Sequence, residues 1–294
     1  MKRFFLLLII CIFFLPACSR QAAPAHIAAT TLPVYEFTAR LCEGTDITVT
    51  RLVTENVSCL HDYSLNVRQV KAAEAAELVI LSGAGLEDFM TDILAGKPTV
   101  DSSAGIDLLE CVSDHKHDHD HGHDHAHHHE TDSHIWLSPE NAKIMAQNIC
   151  HGLCAQYPRH TDTFQQNLSD LLTDLDTLQT YGEDTLAGLE CRDLITFHDG
   201  FGYFADAFDL HILQAVEEES GREASAQELK QLIHIVREHD LPAVFTEVNG
   251  SVSAAEVICR ETGASLYTLD MAMGSSSYFD AMYHNINTLK EALE

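Results

Sequence analysis

Between Thr161 and Leu189 the apolar residues Phe164, Leu168, Leu171, Leu175 and Leu178 recur at spacings of 4, 3, 4 and 3. This is one face of a single long helix, which at 1.5 Å per residue would run roughly 40 Å. A helix that long is suited to joining domains. The chain on either side of it alternates short β-branched runs with helical stretches. Before it, "HIAAT" (26–30), "DITVTRLV" (46–53) and "ELVILS" (77–82) read as strands. The helices between and after them are "LPVYEFTARLC", "SLNVRQVKAAEAA" (64–76, with Ser64 as cap) and "GLEDFMTDILAG". After the long helix, "DLITF" (193–197), "HILQAV" (211–216), "PAVFTE" (242–247) and "SLYTLD" (265–270) repeat the pattern. Ser138-Pro139 and Ser225-Ala226-Gln227-Glu228 mark helix starts. Alternation of this kind predicts parallel sheets covered on both faces. The predicted class is therefore α/β: two (β/α) lobes with parallel sheets joined by one long helix.

The predicted segments are a signal peptide (1–17), a lipidated linker (18–25), an N-terminal α/β lobe (26–158), a linking helix (159–189) and a C-terminal α/β lobe (190–294). Lys2 and Arg3 precede an apolar run of twelve residues, Phe4 to Leu15. That is too short for a mature membrane span and fits a secretory leader. Leu15-Pro16-Ala17-Cys18 resembles a bacterial lipobox, so Cys18 is expected to carry acyl chains that anchor the protein to the membrane. The expected location is extracytoplasmic, on the bacterial cell membrane. The formal net charge of −28 argues against a nucleic-acid partner, because phosphate binding needs Lys and Arg; it also draws cations into clefts. Setting aside Cys11 and Cys18 leaves Cys42, Cys59, Cys111, Cys150, Cys154, Cys191 and Cys259, an odd number, so at least one is unpaired. No CxxC pair suggests a thiolate metal site.

Ligands of open parallel sheets bind beyond the carboxyl ends of the strands. Five polar residues have such places or stand beside the cleft they imply. His61 lies in the loop after "TRLV", and His198 directly follows "LITF". Glu247 and Asp270 end their strands, and His134 opens the segment "SHIWLSPENA". Three neutral imidazoles and a carboxylate form a tetrahedral set suited to Zn²⁺. Glu247 or water could replace Asp270 as the fourth ligand. Any one of these residues taken alone would be an ordinary polar residue at a strand end.

The segments "CLHDYSL", "SHIWLSPENA", "ITFHDGFGYFADAFDL" and "LDMAMG" together resemble the signature segments of zinc-binding, metal-specific solute-binding proteins of ABC importers. The resemblance runs in order over nearly all of the chain beyond the leader. It implies a rigid linking helix, Zn²⁺ in the cleft between the lobes, and an ABC permease as the partner of a monomeric, non-enzymatic protein. It also implies ligation by His61, His134 and His198, with Asp270 at the usual aspartate position. In manganese-type relatives the third ligand is usually Glu, so His198 favours zinc over manganese or iron. Leu60 stands where some zinc members carry Glu beside the histidine.

Nine more histidines, His115, His117, His119, His121, His123, His125, His127, His128 and His129, fall in a run alternating with Asp. The segment 113–131 is low in apolar residues and is predicted to be a disordered loop. Many equivalent partners in a flexible chain give many weak, exchanging modes. The run is therefore expected to gather or sense zinc loosely rather than to hold one ion tightly. His134, beside Trp136 and a capped helix, lies outside it. His26, His151, His160, His211, His234, His239 and His284 are expected to be surface or locally bonded, and the aromatics of "GFGYFADAF" to be core. A zinc hydrolase is the rival reading, since three histidines with an open position can activate water, but the chain contains no HExxH.

Overall fold

The computed structural model describes residues 25–55, 57, 60, 63–110, 131–217, 224–248, 250 and 252–294. The leader, Cys18, His61 and the nine-histidine run lie outside the described residues. Two four-stranded sheets, all parallel, organise the molecule. The first holds β1 (His26–Ala29), β2 (Thr48–Arg51), β3 (Leu78–Leu81) and β4 (Thr99–Asp101) in the order β2-β1-β3-β4. The second holds β5 (Asp193–His198), β6 (His211–Glu217), β7 (Ala243–Glu247) and β8 (Ser265–Leu269) in the order β6-β5-β7-β8. Each sheet buries both faces, as parallel sheets do. In β1, Ile27 and Ala29 face the main core, while Ala28 faces a smaller cluster with Leu52, Ala73, Val79 and Met90. In the second sheet, Ile195 and Phe197 face Leu232, Val236 and Ile258.

The helices are α1 (Leu32–Leu41), α2 (Val67–Ala75), α3 (Thr91–Leu94), α4 (Pro139–Gln156), α5 (Thr161–Leu186), α6 (Gly202–Ala207), α7 (Ala226–Glu238), α8 (Ser253–Thr262) and α9 (Tyr278–Leu293). The predicted caps at Ser138 and Ser225 are present, the latter as a complete box with Glu228. Helix α2 begins later than predicted. Asn66, not Ser64, caps it, because its side chain accepts from Gln69 N and the Gln69 side chain returns the bond to Asn66 N. The stretch "GLEDFMTDILAG" is not one helix. It divides into a 3-10 turn (Asp88–Met90) and the four-residue α3. Strand β4, three residues long, was too short for its periodicity to register.

Helix α5 spans 26 residues and packs against α1 and α4 of the first lobe and α9 of the second. Phe164, Leu171, Leu175 and Leu178 are fully buried on the predicted face. Gly182 lets it approach the second lobe closely, since a Cβ there would lie 2.2 Å from Phe208 Cε1. The main core runs without a break from β1 and α1 through α4 and α5 to α9. Polar contacts also cross between the lobes. Trp136 Nε1 donates to Met271 O at 2.8 Å, and Tyr278 Oη donates to Trp136 O at 2.8 Å. Glu36 on α1 accepts from Tyr278 N at 2.6 Å, capping the start of α9. Burial pushes the Glu36 carboxyl above the usual range, against the hydrogen bonds it receives. Arg51, at the end of β2, donates to Met273 O.

The five described cysteines, Cys42, Cys150, Cys154, Cys191 and Cys259, are free thiols. Cys150 and Cys154, one helical turn apart on α4, have Sγ atoms 4.0 Å apart. Burial pushes the Cys42 and Cys150 thiols up to about 12, which keeps them protonated and unreactive. Among the described residues, no helix is long and apolar enough to cross a membrane.

Candidate metal centre

The strand order of the second sheet reverses between β5 and β7, and a crevice opens at such a point. His198 ends β5 and Glu247 ends β7. Both are buried. Glu247 Oε1 lies 3.7 Å from His198 Nδ1. His134 comes to the same point from the first lobe. It immediately precedes a 3-10 turn, Ile135–Leu137, whose three side chains are fully buried, and then the capped start of α4. With the Trp136 indole tied to Met271 O, this short segment has little freedom.

The two imidazoles meet edge to face, with ring planes at 89° and Nε2 atoms 3.3 Å apart. His134 Nδ1 lies 2.8 Å from Asp132 Oδ1, the same oxygen that accepts from His134 N at 2.8 Å. A carboxylate can only accept here, so His134 Nδ1 is assigned the proton and Nε2 the lone pair. Each ring therefore keeps a carboxylate by Nδ1 and turns Nε2 towards the other. Zn–N bonds of 2.0–2.1 Å at the tetrahedral angle put two ligating nitrogens about 3.3 Å apart. The two Nε2 atoms have that separation. A carboxylate hydrogen-bonded behind a metal-bound histidine fixes its tautomer and ring orientation, and Asp132 stands that way behind His134.

Gly200 is required by this packing. A Cβ there would lie 2.7 Å from His198 Cδ2, 2.7 Å from Met271 Cε and 2.9 Å from His134 Cε1. The structure thus brings together His134 and His198, with Glu247 on the Nδ1 side of His198 and not beside Nε2. Asp270 is engaged elsewhere: its carboxylate accepts from Ala272 N at 2.8 Å and Ser275 Oγ at 2.6 Å. Among the described residues, no three His, Cys, Asp or Glu side chains converge on a metal position, and His61 lies outside them. Asp132 and Gly200 were not singled out in the sequence, and Tyr203 was expected only as one of the core aromatics of "GFGYFADAF", which are buried. An acidic residue two positions before His134, in "TDSHIW", is the only local signal for the first of them.

Residues 27–292 match the family model of the zinc-uptake complex component A, periplasmic. The chain is 28% identical over 281 residues to the high-affinity zinc uptake system protein ZnuA of Bacillus subtilis, covering 91% of this chain and 87% of that protein. It is 28% identical to the zinc-binding lipoprotein AdcA of Streptococcus pneumoniae (strain R6), covering the whole of this chain and 62% of AdcA. A crystal structure of ZnuA superposes with a TM-score of 0.78 at 29% identity, covering 92% of this chain and all of that one. With a match that spans both lobes and the helix between them, the chain belongs to the zinc-uptake complex component A family.

Proposed function

We propose that this protein captures Zn²⁺ outside the cytoplasm and delivers it to an ABC permease. In this reading His134 and His198 ligate through Nε2, and His61 is the third imidazole. Asp270 completes the set from the start of the loop that also carries Met271. Glu247 is then a partner of His198 Nδ1 and not a ligand. The observation that carries the reading is the 3.3 Å separation of two buried Nε2 atoms, one of them backed by Asp132 at 2.8 Å. The ZnuA and AdcA relatives, both named for zinc, support the choice of metal, and the histidine at position 198 favours it over a harder cation. Asp270 keeps acceptor capacity beyond its two hydrogen bonds, since a carboxylate offers about four lone-pair sites. A protonated imidazole has no lone pair to give, so affinity is expected to fall with pH. The protein acts as a monomer and as a binding component, without turnover.

Anchoring through Cys18 and loose zinc gathering by the nine-histidine run belong to the same proposal. The lipoprotein name of AdcA supports the first. Calorimetry separates the tight site from the run. His198→Ala is expected to lower zinc affinity by at least tenfold. Deleting residues 115–129 should leave the tight phase intact and reduce the total zinc bound. Equal loss of the tight phase in both variants would overturn this division.

A further inference from the structure

We propose that Tyr203 is a positioning residue for zinc capture: its hydroxyl, reaching from the C-terminal lobe, sets Asp132 against His134. The inference rests on the reading of His134 as a ligand.

Tyr203 is a buried residue of α6, the helix that follows His198 by four residues. Its oxygen accepts from Leu109 N at 2.9 Å and donates to Asp132 O at 3.0 Å. Leu109 and Asp132 are themselves joined, since Asp132 N donates to Leu109 O at 2.9 Å. Next to them Glu110 and Thr131 form an antiparallel bridge. The two chain segments that flank the histidine-rich run are thus fastened together, and one phenol from the other lobe holds both. The preceding residue contributes as well. A Cβ on Gly202 would lie 2.9 Å from Asp132 Oδ2, so glycine there lets the start of α6 come up to the carboxylate. Asp132 is held through its backbone nitrogen and oxygen, which leaves Oδ1 for His134 N and Nδ1.

The chemical need is specific. A ligating imidazole must be neutral, with its lone pair on the nitrogen that faces the metal. The carboxylate at Nδ1 selects that tautomer and fixes the ring plane. Packing alone would explain an aromatic ring at 203 but not a hydroxyl used as both donor and acceptor. Because α6 and His198 share one continuous segment, the hydroxyl also registers the His134 ring against the His198 ring.

The test uses the mature chain with Tyr203→Phe, Asp132→Asn and His134→Ala. Zinc affinity is read by chelator competition, apo-protein melting temperature by calorimetry, and the His134 tautomer by long-range ¹H–¹⁵N correlation. Loss of an outer partner of a metal-bound histidine costs about 10–100-fold in affinity. Asp132→Asn is expected in that range and Tyr203→Phe near its lower end, each with a larger Nε2–H fraction at His134. A Tyr203→Phe protein that melts lower, yet keeps wild-type zinc affinity and tautomer, would make the hydroxyl purely structural and overturn the inference. If Tyr203→Phe does not fold, Gly202→Ala takes its place, since the added methyl pushes the start of α6 and its hydroxyl off Asp132; wild-type zinc affinity and tautomer in that variant would overturn the inference. Unchanged zinc affinity in His134→Ala would instead remove the ligand assignment on which the inference stands.

Discussion

At the scale of single residues, the centre depends on what is missing as much as on what is present. Gly200 has no side chain because two imidazoles and the Met271 methyl group occupy the space one would fill. Gly200→Ala must displace at least one ring, and the 3.3 Å approach of the two Nε2 atoms leaves no slack. The expected outcome is at least a tenfold loss of zinc affinity in chelator competition, with far-UV circular dichroism unchanged. Wild-type affinity would show that the rings are not held as tightly as the contacts imply. His134 and His198 were legible in the sequence because their strand-end and motif positions could be read along the chain. Gly200 and Tyr203 were not, because each matters only through a neighbour distant in sequence or through a volume that only folding defines, and Asp132, two residues before His134, carries a local signal that many acidic residues share.

At the scale of elements, the two sheets use the same crevice differently. In the second sheet the reversal point between β5 and β7 presents His198. In the first, the equivalent point between β1 and β3 is filled by Glu87. Its carboxyl accepts from Thr30 Oγ1 at 2.6 Å, Ser82 N at 2.7 Å and Gly83 N at 3.0 Å. Burial pushes it up to about 7, against the lowering effect of those hydrogen bonds and with a smaller contribution from nearby Asp101. A carboxyl with a raised pKa holds its proton in the folded state when the unfolded chain has lost it. The contribution of Glu87 to folding stability is therefore fully present below the unfolded value near 4.5 and is lost as pH rises through about 7. The loss from this group is roughly 3 kcal/mol across that window. Urea unfolding of the zinc-free protein at pH 5 and pH 8 is expected to show the decline, and Glu87→Gln to flatten it. Equal pH slopes in the two proteins would mean that Glu87 is ionised in both states. The same inward-turned side chain accompanies the broken helix at 86–95, where the sequence pattern alone predicted continuity.

At the scale of the whole molecule, the lobes are not independent bodies. One core passes through both along α5, and across the divide the Trp136 indole donates to Met271 O while the Tyr278 hydroxyl donates to the Trp136 backbone oxygen. Trp136 is the only tryptophan in the chain and is fully buried at that contact, so its fluorescence reports on lobe contact while circular dichroism reports on both sheets. A shared core is expected to give coincident transitions in the two signals during urea unfolding, as a single cooperative unit does. A fluorescence change that precedes the loss of ellipticity would instead mean that the lobes part before they unfold.

The class of fold and its two-part plan follow from the sequence itself. Hydrophobic periodicity, caps and β-branched runs are local properties, and the 4-3-4-3 stripe of α5 needs no partner to be recognised. The two histidines that meet were also marked by local context. What only tertiary structure decided is which oxygen stands behind which nitrogen. Glu247 stands 3.7 Å from His198 Nδ1, and a hydroxyl from the second lobe donates to Asp132 O, beside the contact of Asp132 with His134. Distances of about 3 Å between residues 71 to 94 positions apart are set by how the strands and helices stack, and no periodicity along the chain encodes them.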